Sequence, residues 1–317
     1  MATNTLPRRK NHHMKQRRKD LIFACCMLAV PLANFIVYWI LPNYQSIIMA
    51  FQTPLNDEFT LINFERFFTA LADPDDGVRY DLINAFVLFF WGTFVALPLV
   101  IFMSYIIFKK IAGYKIFRVI FYLPSILGAA VTASLFRYMV HSGGPIETLL
   151  VNMGVPIDVQ LGLLGSGDTG FTMVIIYSLW TCVGSNMIML SGAMNRVPTD
   201  IFESARIDGV GFWREFFQIV IPLIWPTITT MLVSSMTGIF TNYAATQLLT
   251  PTTPRSQTIG WYIVRHTTAA GNSTSNEIYN YPAAVGLIFT CVGLPMVMGT
   301  KWLCERIARN VEYLGGN

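Results

Sequence analysis

Six apolar runs, each long enough to cross a bilayer as a helix, decide what this chain can become. They lie at about residues 21–41, 83–108, 119–140, 171–193, 218–240 and 282–300. The hydrocarbon core of a membrane takes about 20 apolar residues per helix. In lipid every backbone amide and carbonyl must be satisfied by the protein, which leaves helices and closed barrels as spanning forms. Barrel strands run to about 10 residues and alternate in character, whereas these runs are longer and continuously apolar. With 53% hydrophobic and only 13% charged residues among 317, the composition departs from that of soluble domains in the same direction. The expected fold is all-α and integral to the membrane. It has a six-helix domain over 21–304, a basic tail over 1–20 and a short tail over 305–317.

Lysine and arginine are retained in cytoplasmic loops, so their distribution orients the chain. With the N-terminus inside, segments 1–20, 109–118, 194–217 and 301–317 carry 7, 4, 3 and 3 of them, 17 in all. The outside segments carry only Arg66, Arg79, Arg255 and Arg265, and Arg137 falls within a span. Both termini are therefore expected in the cytoplasm of a multi-pass cell-membrane protein. The net charge of +4 follows from this topology and gives no sign of nucleic-acid binding. No small-x-small cleavage site closes the first run, which reads as a retained span. Cys25, Cys26, Cys182, Cys291 and Cys304 lie in or beside spans, with neither a disulfide framework nor metal-site spacing.

The first span is expected to end at Pro42. Beyond it Tyr44, Ile47, Ile48, Phe51, Phe64, Phe67 and Phe68 suit short amphipathic helices lying at the outer interface. In the third span Gly128, Ala129, Ala130, Thr132, Ala133 and Ser134 are small, which lets helices approach closely. Arg137, one turn from the outer end of that span, has two open readings: a side chain snorkelling to the headgroups, and a group on a transport path. The glycine-rich loop 141–170 lacks the lysine of a phosphate-binding loop and reads as a turn-rich connector. In the fourth span Ser178, Thr181 and Ser185 share one face, bordered by Asn186. Such a stripe must face protein or water, either as interhelical hydrogen bonds or as the wall of a solute path. Ile259, Tyr262, Ile263 and His266 recur at helical spacing, as in an amphipathic helix at the outer interface.

The stretch Glu203–Pro222 is of another kind, holding charges and a turn between two apolar runs. Asp200 can cap a first helical run, with Glu203 reaching back to it. Gly209 can end that run in the left-handed conformation. A second run, Phe212 to Ile221, leads into the fifth span, where Pro222 and Pro226 free backbone carbonyls and can kink the helix. Spacing alone leaves open an ordinary loop helix and a docking handle for a soluble partner. The residues resemble the EAA loop of the permease subunits of binding-protein-dependent ABC importers: Glu-Ala-Ala, three residues, Gly, nine residues, Ile-x-Leu-Pro. Glu203, Ala205, Gly209, Ile219 and Pro222 fall in register, with Ser204 and Ile221 as conservative departures. Pro198, the Ile207-Asp208-Gly209 run and Tyr281-Pro-Ala-Ala are similar to the carbohydrate branch of that family, and Trp180 and Gly184 fit it as well.

The resemblance covers most of residues 20–310 and implies one half of the channel of a type I ABC importer, with a cytoplasmic coupling loop over 196–222. It implies a second permease subunit as partner, and the residues themselves leave open whether the pair is a heterodimer or a homodimer. Two ABC ATPase domains would bind ATP and Mg, and an extracytoplasmic sugar-binding protein would deliver the solute. This chain itself would carry no cofactor and no enzymatic activity. In that arrangement Phe202, Glu203, Ser204, Ala205, Asp208, Gly209 and Pro222 couple to the ATPase. Because aromatic faces stack on sugar rings and amides bond hydroxyls, Trp180, Asn186, Asn242 and Tyr243 are the candidates for the substrate path. Two other classes compete. An intramembrane enzyme lacks paired carboxylates, metal-binding His motifs and a nucleophile elbow in the spans. A stand-alone secondary transporter lacks any Asp or Glu within the spans to couple ions. An ABC permease for a non-sugar solute stays open.

Overall fold

The computed structural model describes residues 10–53, 58–74, 77–154, 162–271 and 277–315. Arg8 and Arg9 of the basic tail and residues 155–161 of the glycine-rich loop lie outside the described residues. Helix α1 runs through Lys10–Phe35, a π-turn at Ile36–Ile40, and Leu41–Ala50. It is followed by α2 (Ile62–Ala72), α3 (Val78–Phe108), α4 (Tyr114–Ile126), α5 (Ala129–Val140) and α6 (Pro145–Asn152). Then come α7 (Gly167–Met194), α8 (Thr199–Ile207), α9 (Phe212–Thr241), α10 (Ala244–Leu249), α11 (Ile259–Gly271) and α12 (Glu277–Gly315). Among the described residues, Lys19–Ala50 of α1, then α3, α7, α9 and Tyr279–Ala308 of α12 are long and apolar enough to cross a membrane, with mean hydropathies of 1.6 to 2.4.

The third expected span departs from a continuous helix. Tyr114–Ile126 and Ala129–Asn152 meet at 108°. Leu127 and Gly128 are both extended, with ψ of 144° and 145°. Pro124 has already removed one backbone donor from the last turn of α4. The helix then restarts, because the Gly128 carbonyl accepts from the amides of Val131 and Thr132. Of the small residues in this region only Thr132 and Ala133 are buried, and Gly128, Ala129, Ala130 and Ser134 face outward.

The first span does not stop at Pro42 but continues to Ala50. A proline lacks an amide and its ring collides with the carbonyl four residues back, and three helices here meet that problem in the same way. Leu41, Leu97 and Ile221, each just before a proline, donate five residues back to Ile36, Gly92 and Phe216. The wider π-turns at Ile36–Ile40, Trp91–Ala96 and Phe216–Val220 carry the helix past Pro42, Pro98 and Pro222.

Three apolar clusters hold the bundle. The first joins Leu97–Ile107 of α3, Met187–Met194 of α7, Phe202 of α8 and Phe216–Met231 of α9. The second joins Phe67 of α2, Val78 and Ala85 of α3, Ile239 of α9, Ile259 and Tyr262 of α11, and Val285 and Phe289 of α12. Phe67, Ile259 and Tyr262 are thus core residues, and α2 and α11 pack into the bundle, where the sequence suggests helices lying at an interface. The third cluster joins Phe136 and Val140 of α5 to Val174 and Tyr177 of α7 and Leu249 of α10. Helix α4 crosses α7 at Gly184, where a Cβ would sit 2.6 Å from the Phe121 carbonyl oxygen. In contrast, none of the apolar window of α1 is buried within the chain.

Candidate functional site

Helix α8 stands between α7 and α9 as a nine-residue element with two different faces. Phe202 and Ala205, three residues apart, turn inward, and Phe202 packs 5.3 Å from the Phe108 ring at the end of α3. Glu203, Ser204, Asp208 and Gly209 are exposed, and Ile207 is 87% exposed at the tip. The N-cap is Pro198, in extended conformation and with no side-chain bond. The helix therefore starts two residues earlier than an Asp200 cap requires. Asp200 stands instead in the first turn, where the helix dipole favours a carboxylate.

The end of α8 follows the glycine expectation. Gly209 has φ of +69° and donates to Arg206, while Val210 donates to Ala205. These are the two bonds of a Schellman motif, and they fix the direction in which the chain leaves α8. Pro222 lies 13 residues further on, half-buried in α9 directly after the π-turn.

Beyond this element, α3, α7 and α9 enclose a cavity of about 380 Å³. Its polar lining includes Thr93 from α3, Ser178 and Asn186 from α7, Ser234 and Ser235 from α9, and Asn242 just past the end of α9. Among the described residues no Asp, Glu, Lys, Arg or His lines it. Thr93 Oγ1 and Ser178 Oγ are buried without a hydrogen-bond partner among the described residues. An orphaned buried hydroxyl costs free energy, and both of these belong to residues that line the cavity.

Of the four residues expected on a substrate path, Asn186 and Asn242 meet at this cavity. Trp180 does not; it packs against Phe136 and Tyr177 in the third cluster. Tyr243 is 40% exposed past the end of α9 and is absent from the lining. Thr181 and Ser185 bond to carbonyls of their own helix, at Tyr177 and Cys182. Thr93, Ser234 and Ser235 carry no mark in the sequence beyond being polar residues in apolar runs. Arg137 reaches the Leu248 carbonyl, at 3.4 Å, and does not line the cavity. Among the described residues no three His, Cys, Asp or Glu side chains are grouped as a metal site would need.

Comparison with known proteins places this architecture. The profile of the family described as "Binding-protein-dependent transport system inner membrane component" matches residues 22–313. The arabinooligosaccharides transport system permease protein AraP of Bacillus subtilis (strain 168) is 25% identical over 265 residues, covering 82% of this chain and 81% of AraP. The fold is similar to that of a bacterial ABC transporter involved in import of the acidic polysaccharide alginate. The TM-score is 0.76 at 21% identity, over 94% of this chain and 99% of that one. A second structure, the bacterial alginate ABC transporter in complex with an alginate pentasaccharide-bound periplasmic protein, gives 0.75 at 22% identity, over 93% and 97%. The chain belongs to the inner-membrane components of binding-protein-dependent transport systems.

Proposed function

We propose that this chain is one permease subunit of an ATP-driven importer, forming half of a channel for a neutral sugar or oligosaccharide. The observation that carries the reading is an uncharged cavity, apolar side chains interrupted by hydroxyls and amides, one wall of which is the helix that follows directly on the α8 docking element. Sugars are recognised through hydroxyl groups without charge, and a lining of Thr, Ser and Asn offers donors and acceptors with no counter-ion to satisfy. The similarity to AraP, named for arabinooligosaccharides, supports a carbohydrate. The uncharged lining on this subunit's side supports a neutral one, since a carboxylate substrate held against this wall would need a cation beside it.

In this reading both termini lie in the cytoplasm, as the lysine and arginine distribution supports. Helix α8 then faces cytoplasmic ATPase domains, which bind ATP and Mg. Glu203, Ser204, Asp208, Arg206 and Ile207 present the contact surface; Phe202 and Ala205 anchor the helix to its own subunit; Gly209 sets the turn. A second permease subunit completes the channel, and an extracytoplasmic binding protein delivers the solute. ATP-driven closure of the ATPase pair biases the channel between two states, because only a differential interaction with the two can shift their balance.

The test is affinity purification of the tagged chain from its native membrane in mild detergent, beside a Glu203→Arg, Gly209→Pro variant. Recovery of a second permease and an ATPase with the wild type, and selective loss of the ATPase with the variant, is the expected result. A chain recovered without ATPase in both cases would return the protein to the class of self-sufficient transporters.

A further inference from the structure

We infer that Lys109 and Glu215 form a fixed link that makes α3 follow the docking element, so that two of the three cavity walls move with a single input; the inference rests on the importer reading. Lys109 Nζ lies 2.6 Å from Glu215 Oε1 and 2.7 Å from Oε2. The glutamate side chain is 4% exposed and the lysine 19%. Each charge also suits its helix end. Lys109 closes the C-terminus of α3, and Glu215 stands in the first turn of α9, where the dipoles favour a cation and an anion respectively. By contrast Lys301 and Glu305 form an exposed pair within one helix, of a kind that contributes little.

The ring contacts around this pair run between the same two elements. Tyr105, fully buried one turn before Lys109, lies 5.0 Å from both Phe212 and Phe216, which bracket Glu215 in sequence. Phe102 stacks on Trp213 at 5.6 Å. Aromatic faces tolerate sliding, because dispersion and burial are not directional. A buried ion pair does not, because separating it strands a charge away from water. The pair therefore sets the register in which α3 and the start of α9 grip one another.

That register reaches the cavity. Helix α9 is joined through the chain to α8 and supplies Thr230 to Ile239 of the lining. Helix α3 supplies Ala85 to Leu97, yet has no short covalent connection to α8. Its mechanical connection is by side chains at its last two turns. Lys109 and Glu215 are positioning residues in this scheme, since neither lines the cavity.

The test uses the importer complex purified through the tagged chain and reconstituted in nanodiscs, with all five native cysteines replaced by alanine. Nitroxide labels at Leu99→Cys and Ile188→Cys report the α3–α7 distance, and labels at Leu223→Cys and Ile188→Cys report α9–α7; all three positions are exposed. Distances are read by pulsed electron resonance without nucleotide and with ATP plus vanadate. In the wild type both distances are expected to shift. A Lys109→Met, Glu215→Leu variant removes both charges together, which avoids the stranded charge of a single substitution. It should lose the α3 shift, keep the α9 shift and keep the ATPase. The exchange Lys109→Glu, Glu215→Lys should restore the α3 shift, which a merely space-filling role would not do. An α3 shift of wild-type size in the uncharged variant overturns the link. So does a wild type in which α9 responds and α3 does not. If neither distance responds in the wild type, it is the importer reading that fails.

Discussion

Gly209 permits a prediction whose magnitude comes from a single cause. A methyl group added there meets no heavy atom within 4 Å, so Gly209→Ala introduces no collision. What remains is the φ of +69°, which an L-residue with a Cβ occupies at a cost of about 1–2 kcal/mol. Under the proposed importer reading, the free protein relieves this strain by unwinding the last turn of α8, and a bound ATPase must rewind it. The cost then passes into affinity, and at about 1.4 kcal/mol per factor of ten it weakens binding roughly 5- to 30-fold. Asparagine tolerates the left-handed region better than alanine, so Gly209→Asn should lie between alanine and wild type. The assay is a titration of the copurified ATPase onto the permease in nanodiscs, followed by biolayer interferometry. Alanine binding as well as glycine, or asparagine binding worse than alanine, would refute the backbone argument. A loss beyond about 100-fold exceeds the strain available and would show that the position itself touches the ATPase.

Other positions separate structural from transport roles. Gly184→Ala places its Cβ 2.6 Å from the Phe121 oxygen and 2.7 Å from Ser125 Oγ; overpacking of about 1–3 kcal/mol should lower the thermal midpoint in detergent, whereas Gly192→Ala, in open space, should not. Asn84 Nδ2 donates at 2.8 Å to both the Arg255 and Gln257 carbonyls, so Asn84→Ala should cost about 1–3 kcal/mol and speed proteolysis between α10 and α11. Thr93→Val removes an orphaned hydroxyl at nearly constant volume; it should leave the thermal midpoint unchanged or higher while weakening solute uptake by about 3- to 10-fold, the worth of one hydrogen bond. Arg137→Gln should leave both stability, within about 0.5 kcal/mol, and uptake unchanged, and a marked loss of uptake would place Arg137 on the path.

The residues legible in the sequence are those whose local chemistry is self-contained. Gly209 announces a helix end because the left-handed conformation is a property of one residue, and the apolar runs announce spans because length and hydropathy are properties of one segment. The break at Leu127–Gly128 is hidden because apolarity continues across it, and the proline that weakens the turn, Pro124, is still inside the helix. The same limit explains Asp200, where Pro198 takes the cap position by its fixed backbone and not by a side-chain bond. The cavity is half visible. Asn186 and Asn242 are amides in apolar surroundings, but Thr93 and Ser234 gain meaning only when α3, α7 and α9 are brought face to face. Trp180 is a large aromatic residue, which serves a core as readily as a solute, and here it packs against the third cluster.

The π-turns have a rotational consequence. An α-helix turns by about 100° per residue, so one extra residue wound into a turn rotates everything beyond it by about that angle. In α9 the turn at Phe216–Val220 lies between Phe212–Glu215, which grip α3, and the hydroxyls of Thr230, Ser234 and Ser235. Rewinding this turn as α-helix with its sequence unchanged would swing Thr230, Ser234 and Ser235 away from the cavity while leaving α8 in place. The azimuth of the cavity-facing stripe is thus set independently of α8, by the winding of one turn.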